Sequence, residues 1–518
     1  MIQLSNNTTA IGNTYSTDHY EKYNQSGDKN YFEEIIDKMI LEEVVGMNES
    51  FRNAISNLSK DKKRMAILSL LDKDRNLFKD IKALVDKDIN KMDHIRDIAK
   101  MLREYVKVAD TLKREYGEVM TPTELITDMF SKLPKEVWKN PYLKWLDACN
   151  GVGPFLCLVV YGLMKGLKDW EPDEEKRYKH IVENMIYAGE LQPKNQFLFM
   201  CSIDSSDKYK LNIYTGSFLE DGFDYHMKNI WGIEKFDIIV GNPPYDKSQN
   251  AEGKRGGGDT LWDKFVIKYI NKILKEDGYL SLVHPTIWRK PQSDKSSSKE
   301  VNKLMLSKQI HYLEMHDSKD GMKTFNAGTR YDFYVLQNCD IYTTTKINDE
   351  DRITSEVDLK EYQFIPNKGL DFFKKILGND DDAKCKIIFN ASNYETRKQW
   401  VSSEKNDVYK YTLIHSTPKK GTRYMFSSRN DNGHFGISKV IFGDSGIYDA
   451  IIDMDGALGM TQHSMAIEVE TIEDANNIKN VIIGKKFTDF LESVIWSNFQ
   501  IDWRLFTHLK KDFWKEFI

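Results

Sequence analysis

Phe236-Asp237-Ile238-Ile239-Val240-Gly241-Asn242-Pro243-Pro244-Tyr245 is an apolar strand that runs directly into a turn it cannot continue through. The two prolines fix φ and carry no N–H, so the carbonyls of this turn can face a pocket without competing donors. Asn242 supplies a side-chain carbonyl and Pro243 a backbone carbonyl. Two such acceptors match the two N–H donors of an exocyclic amine on a nucleobase. The lone pair of that amine is delocalised into the ring and is a poor nucleophile. Acceptors placed around it favour the tetrahedral form and stabilise the positive charge that develops, freeing the lone pair to attack a sulfonium methyl in line. Tyr245 offers an aromatic face for stacking the base. A base inside a duplex must be flipped out to reach such a pocket.

Working outward, short apolar runs at 143–148, 185–189, 211–215, 236–240, 279–284, 310–315 and 333–337 alternate with amphipathic stretches. This pattern predicts an α/β domain with a largely parallel sheet over residues 116–340. Ligands in such sheets bind beyond the carboxyl ends of the strands. Asp147 ends the first predicted strand, and Gly151 and Gly153 follow it in a tight turn. Pro154 excludes the dinucleotide pattern GxGxxG. Glu190 ends the second strand, where a carboxylate can accept from both ribose hydroxyls. After the third strand, Ser217 can bond an adenine edge, and Phe218 either packs on an adenine ring or belongs to the core.

These segments in this order resemble the motifs of amino-methylating DNA methyltransferases. They are Asp147-Ala148-Cys149-Asn150-Gly151-Val152-Gly153-Pro154-Phe155, Glu190, and Asn242-Pro243-Pro244-Tyr245. Upstream, Tyr116-Gly117-Glu118-Val119-Met120-Thr121-Pro122 resembles the family segment that closes over the methionine part of the cofactor. The order is similar to the gamma class, which includes many restriction–modification enzymes, and the likeness covers about residues 110–340. It implies a Rossmann-like domain, S-adenosylmethionine as cofactor and the N6 amine of adenine in double-stranded DNA as acceptor. By motif, Asn242, Pro243 and Tyr245 are implied to be catalytic, and Tyr116, Thr121, Asp147, Gly151, Gly153, Glu190, Ser217 and Phe218 to line the cofactor. Ala148 stands where many relatives carry Pro, and Ser217 where many carry Asp.

Outside this region, residues 1–28 are Asn-, Ser- and Thr-rich and predict a flexible arm. Residues 29–115 predict helices that could bind a partner subunit, self-associate or grip DNA. Residues 341–518 lose the alternation and predict a mixed target-recognition domain. The net charge of −5 excludes a uniformly basic nucleic-acid binder, so the distribution of charge matters more than its sum. Between Lys410 and Lys439 six basic residues face a single acid, Asp431. Lys419, Lys420, Arg423 and Arg429 there are the candidates for DNA contact, with a solvated basic surface as the alternative. Lys254 and Arg255, in a glycine-rich loop after Tyr245, and Arg289 are further candidates for phosphate contact. Five scattered cysteines form no CxxC pair, which argues for a reducing, cytoplasmic setting and against a metal site. No signal peptide or membrane span is expected.

Three other readings compete. The same pocket suits the amide of a protein glutamine or an RNA base. A nuclease fused to a methylase would need a Pro-Asp and Glu-X-Lys pair on strands, which residues 1–110 do not show. A DNA-binding protein with an inactive methylase fold would not need an intact Asn-Pro-Pro-Tyr.

Overall fold

The computed structural model describes residues 121–518, apart from 205–207, 246–259, 292–297, 380 and 497–500. The expected arm, the expected N-terminal helices, Tyr116, Lys254 and Arg255 lie outside the described residues.

All seven segments read as strands lie on strands. They are β1 (Trp145–Asp147), β2 (Ile186–Glu190), β3 (Asn212–Thr215), β4 (Phe236–Gly241), β5 (Leu274–Pro285), β6 (Lys308–His316) and β7 (Tyr331–Asp340). With β8 (Thr345–Asn348) and β9 (Thr354–Val357) they form one sheet in the order β3-β2-β1-β4-β5-β7-β6-β8-β9. The first five strands in that order are mutually parallel. β7 enters antiparallel between β5 and β6. Apart from that insertion the order is the doubly wound 3-2-1-4-5-6. The sheet passes the boundary expected at residue 340, because β8 pairs with β6 through Tyr312↔Lys346 and its neighbours.

Alternation along the strands sets two layers. Trp145, Ile186, Ile213, Ile238, Val240 and Phe333 face one side of the sheet. Helices α1 (Thr123–Ser131), α2 (Pro154–Gly166), α3 (Glu174–Asn184) and α4 (Pro193–Ile203) follow in chain order, and α1 to α4 supply residues to that layer. Each has a local reason to start where it does. Pro154 and Pro193 occupy the first turns of α2 and α4, where a missing N–H costs nothing. The Asp173 side chain caps α3 by accepting from Lys176 N–H at 3.0 Å. Leu146, Tyr187, Ile239, Leu280 and Tyr334 face the other side with α5 (Asp221–Asn229) and α6 (Trp262–Lys268).

Residues 341–518 were expected to form a separate target-recognition domain. Aromatic and aliphatic residues beyond 357, among them Phe373, Phe442, Ile478, Phe487 and Phe513, continue that second layer as one core. The described residues beyond 357 carry eight short strands: β10 (Ile387–Ile388), β11 (Val401–Ser402), β12 (Tyr411–Ser416), β13 (Arg423–Ser427), β14 (Lys439–Gly443), β15 (Ile451–Asp453), β16 (Gly459–Met460) and β17 (Ser464–Glu468). They form two sheets, β10-β17-β14-β15 and β11-β13-β12-β16. Ile414 and Met460 of one sheet meet Ile441 and Ala466 of the other. Among the described residues no helix is long and apolar enough to cross a membrane.

Candidate active site

The strand order reverses at β1, which has β2 on one side and β4 on the other. The carboxyl ends of neighbouring strands diverge at such a point and open a crevice. Asp147, Glu190 and Asn242 stand at the ends of β1, β2 and β4 respectively.

Gly153 begins α2 with φ +91°, and a Cβ there would overlap the Phe199 ring of α4. The turn is therefore pressed onto α4 and requires glycine. Gly151, at φ +54°, has no atom within 4 Å of an added Cβ, so its face of the turn looks onto open space. Glu190 locks the turn in place. Its Oε2 accepts the Gly151 N–H and its Oε1 the Gln192 N–H, both at 2.8 Å.

Asp147 is buried. Its Oδ1 accepts the Cys149 N–H at 3.0 Å, and its Oδ2 has no partner. Burial raises its pKa to about 7, against the pull of the Cys149 hydrogen bonds. A Cβ on Gly241 would stand 2.8 Å from Asp147 Oδ1, which places Asp147 beside the turn that carries Asn242.

The Asn242 Nδ2 donates to Thr121 Oγ1 at 3.0 Å, just before α1. This bond orients the amide, and the opposite atom, Oδ1, is buried and unpartnered. The Tyr245 hydroxyl is buried beside the Asn242 amide, and burial, with neighbouring Tyr331, pushes its phenol pKa up against the opposing pull of the Asn242 side chain. The Leu261 N–H donates to the Tyr245 carbonyl at 3.1 Å, and Trp262 next to it stacks on His284 with ring centroids 4.4 Å apart. A buried acceptor aimed by its own donor group, with an aromatic side chain three residues on, is equipped to grip a planar amine.

Residues 126–325 match the Eco57I restriction-modification methylase family. An uncharacterized adenine-specific methylase of Mycoplasma pneumoniae is 25% identical over 250 residues, which are 36% of this chain and 58% of the relative. The modification methylase CviBIII of Paramecium bursaria Chlorella virus NC1A is 33% identical over 115 residues, 21% of this chain and 28% of the relative. The segment 126–325 is similar to amino-methyltransferase domains of the restriction–modification type. The chain thus spans less than two thirds of the length of either curated relative. Among solved structures, the DNA complex of the Type IIL restriction-modification enzyme MmeI is similar at a TM-score of 0.45 and 10% identity, over 94% of this chain and 81% of that one.

The crevice does not present all the residues that the sequence singled out. Phe218 is 2% exposed and packs on Phe223, Phe265 and Tyr269, with the Lys268 ammonium over its ring. Of its two readings the core is the one observed. Ser217 is partly exposed just after β3. Arg289 was expected to meet phosphate, but it is fully buried. Its Nε donates to Asp332 Oδ2 at 2.7 Å, its Nη1 to the Ile365 and Pro366 carbonyls, and its Nη2 to Asp332 Oδ1 and Asn367 Oδ1. Every guanidinium N–H is committed, so Arg289 fastens β7 to the region beyond the sheet.

Lys419, Lys420 and Arg423 are exposed at the tip of the β12–β13 hairpin and have no ion-pair partner among the described residues. Arg429 differs, since both its Nε and Nη2 are held by Asp431, at 2.6 and 2.7 Å. Lys439, counted in the same basic stretch, is buried against Asp453.

Three features were missed from sequence. Leu191, directly after Glu190, is a half-exposed apolar side chain at the crevice. Asn150 and Gln196 are buried, and their amides have no partner among the described residues. A cleft of about 1050 Å³ is lined by Thr286, Lys319 and Arg330 at the ends of β5, β6 and β7, and by Tyr448, Lys485 and Trp496 from the C-terminal region. The glycine turn could have flagged Asn150, whereas Gln196 and the cleft carry no local signal.

Proposed function

We propose that this chain is a site-specific DNA adenine-N6 methyltransferase that uses S-adenosylmethionine. The observation that carries the reading is the unpartnered Asn242 Oδ1, buried and aimed by the bond from Nδ2 to Thr121. A buried acceptor with no donor is costly to leave unmade, and the amine of a flipped adenine supplies the donor. Asn242 Oδ1 and the Pro243 carbonyl hold the two amine hydrogens and stabilise the charge that builds on nitrogen. Tyr245 supplies the stacking face.

The crevice fits the cofactor. Gly151 lines open space, the Glu190 carboxylate stands at the end of β2, and the Asp147 Oδ2 lacks a partner. These acceptors suit the hydroxyls and ammonium of S-adenosylmethionine, and Leu191 adds apolar surface beside them. The chemistry that the cofactor supplies when bound is an electrophilic methyl on a sulfonium sulfur. Asp147, Gly151, Gly153 and Glu190 hold it, and Ser217 borders its purine end. Thr121 acts through Asn242.

We infer that residues 121–357 are the catalytic unit and that the sheets of 387–468 read the target. The duplex lies along the cleft at the strand ends, with Lys419, Lys420 and Arg423 against it. Lysines of this kind add affinity through phosphate, and an arginine can pair with a guanine edge.

The test is transfer of labelled methyl from S-adenosylmethionine into duplex DNA by the native protein and by Asn242→Ala. N6-methyladenine formed only by the native protein supports the reading. Label in RNA or in a protein glutamine, and none in DNA, overturns the substrate.

A further inference from the structure

We propose that Asn150 and Gln196 also hold the cofactor, an assignment that rests on reading the crevice as the S-adenosylmethionine site. Asn150 is 2% exposed, and neither its Oδ1 nor its Nδ2 has a partner. Gln196 is fully buried, and both of its amide atoms lack partners too. Buried side-chain amides are rarely left without hydrogen bonds, and such groups call for a specific explanation.

The two amides flank one turn. Asn150 directly precedes Gly151. Its own N–H donates to the Gly189 carbonyl at 2.9 Å and its carbonyl accepts from the Gly153 N–H at 2.8 Å. Its backbone is thus pinned, and only the side chain is uncommitted. Gln196 lies three residues before Phe199 on α4, and the Phe199 ring is what a Cβ on Gly153 would strike. Residues three apart share a helix face, so Gln196 sits on the side of α4 that meets the turn.

The chemistry of the pair matches the ligand. Each amide offers two N–H donors and one carbonyl acceptor. Asp147 and Glu190 are acceptors when ionised, so alone they provide nothing for the carboxylate or the purine nitrogens of S-adenosylmethionine. Asn150 and Gln196 add the missing side-chain donors at the same turn. The stability cost of the orphaned amides in the free protein is the counterpart of their use in the complex.

Calorimetric titration of the full chain with S-adenosylhomocysteine, together with thermal melting without ligand, tests this. Asn150→Ala and Gln196→Leu each remove an orphaned amide, the second with little change of volume. Each is expected to raise the dissociation constant tenfold or more while the melting temperature of the free protein holds or rises. Unchanged affinity in both variants overturns the assignment, and so does a fall in free-protein stability that accounts for the lost binding. Native protein that binds no S-adenosylhomocysteine overturns the cofactor reading and this assignment with it. Native binding with indifferent variants overturns this assignment alone.

Discussion

Thr121 Oγ1 accepts the Asn242 Nδ2–H at 3.0 Å, across 121 residues of chain, and so decides which end of the Asn242 amide faces the pocket. Thr121 lies in the segment that resembles a cofactor-closing motif, yet its side chain bonds the Asn-Pro-Pro-Tyr turn. Thr121→Val should lower kcat about fivefold, as expected for a lost orienting bond worth about 1 kcal/mol. S-adenosylhomocysteine affinity should hold, and Thr121→Ser should restore the rate. A variant that loses cofactor affinity instead would return Thr121 to the cofactor.

Loss of Asn242 itself removes the acceptor rather than its aim. Asn242→Ala should lower methyl transfer by about 10²–10³, the usual effect of deleting one preorganised group that stabilises developing charge. Single-turnover kinetics with saturating cofactor would show this. A drop of less than fivefold would mean that the Pro243 carbonyl suffices.

Burial of Asp147 ties stability to pH. Its folded pKa of about 7 lies above the unfolded value of about 3.9, so the folded state favours the protonated form. Its ionisation therefore erodes the stability of the cofactor-free protein as pH rises from about 4 to about 7, and adds no further loss above that. Urea midpoints across this window should fall in the native protein, and Asp147→Asn should flatten that component. Parallel profiles for the two proteins would place the titration elsewhere.

The Arg289–Asp332 pair is buried on both sides. Removing one partner leaves the other charged and unsatisfied, which typically costs about 3–5 kcal/mol. Asp332→Ala should lose stability on that scale in urea denaturation. Were Arg289→Ala instead to fold as stably as the native chain and bind DNA with a shallower salt dependence, Arg289 would be a phosphate ligand after all.

Lys419 and Lys420 carry no ion pair among the described residues, and they stand on an exposed hairpin. If each neutralises one phosphate, the double alanine variant should reduce the slope of log K against log salt by about 2, at about 0.9 per contact. Melting temperature and cofactor affinity should stay as they are. An unaltered salt slope would remove this hairpin from the DNA interface.

Much of the catalytic region was legible because its signals are local. The alternation of apolar residues marked all seven strands, and strand-end Asp147, Glu190 and Asn242 follow from their position beside a turn. The end of the sheet was not legible. β8 and β9 are four-residue strands: β8 joins through register with β6, a partner some thirty residues away, and β9 joins through β8. The unity of the core was hidden for the same reason, since Phe442 and Phe513 show no sign in sequence of which layer they complete.

Sequence by itself determined the α/β class, the order of the strand-end groups and the acceptor chemistry of Asn-Pro-Pro-Tyr. Those rest on periodicity, on the fixed φ of proline and on side-chain functional groups, which belong to the residues wherever they sit. Tertiary structure alone decided which charges are free. Arg289 and Lys439 read like Lys419, Lys420 and Arg423 in the sequence, yet Asp332 and Asp453 claim the first two in the interior. Burial and partnering depend on what folding brings from far along the chain, and a charge loses its solvent role as soon as a buried carboxylate holds it.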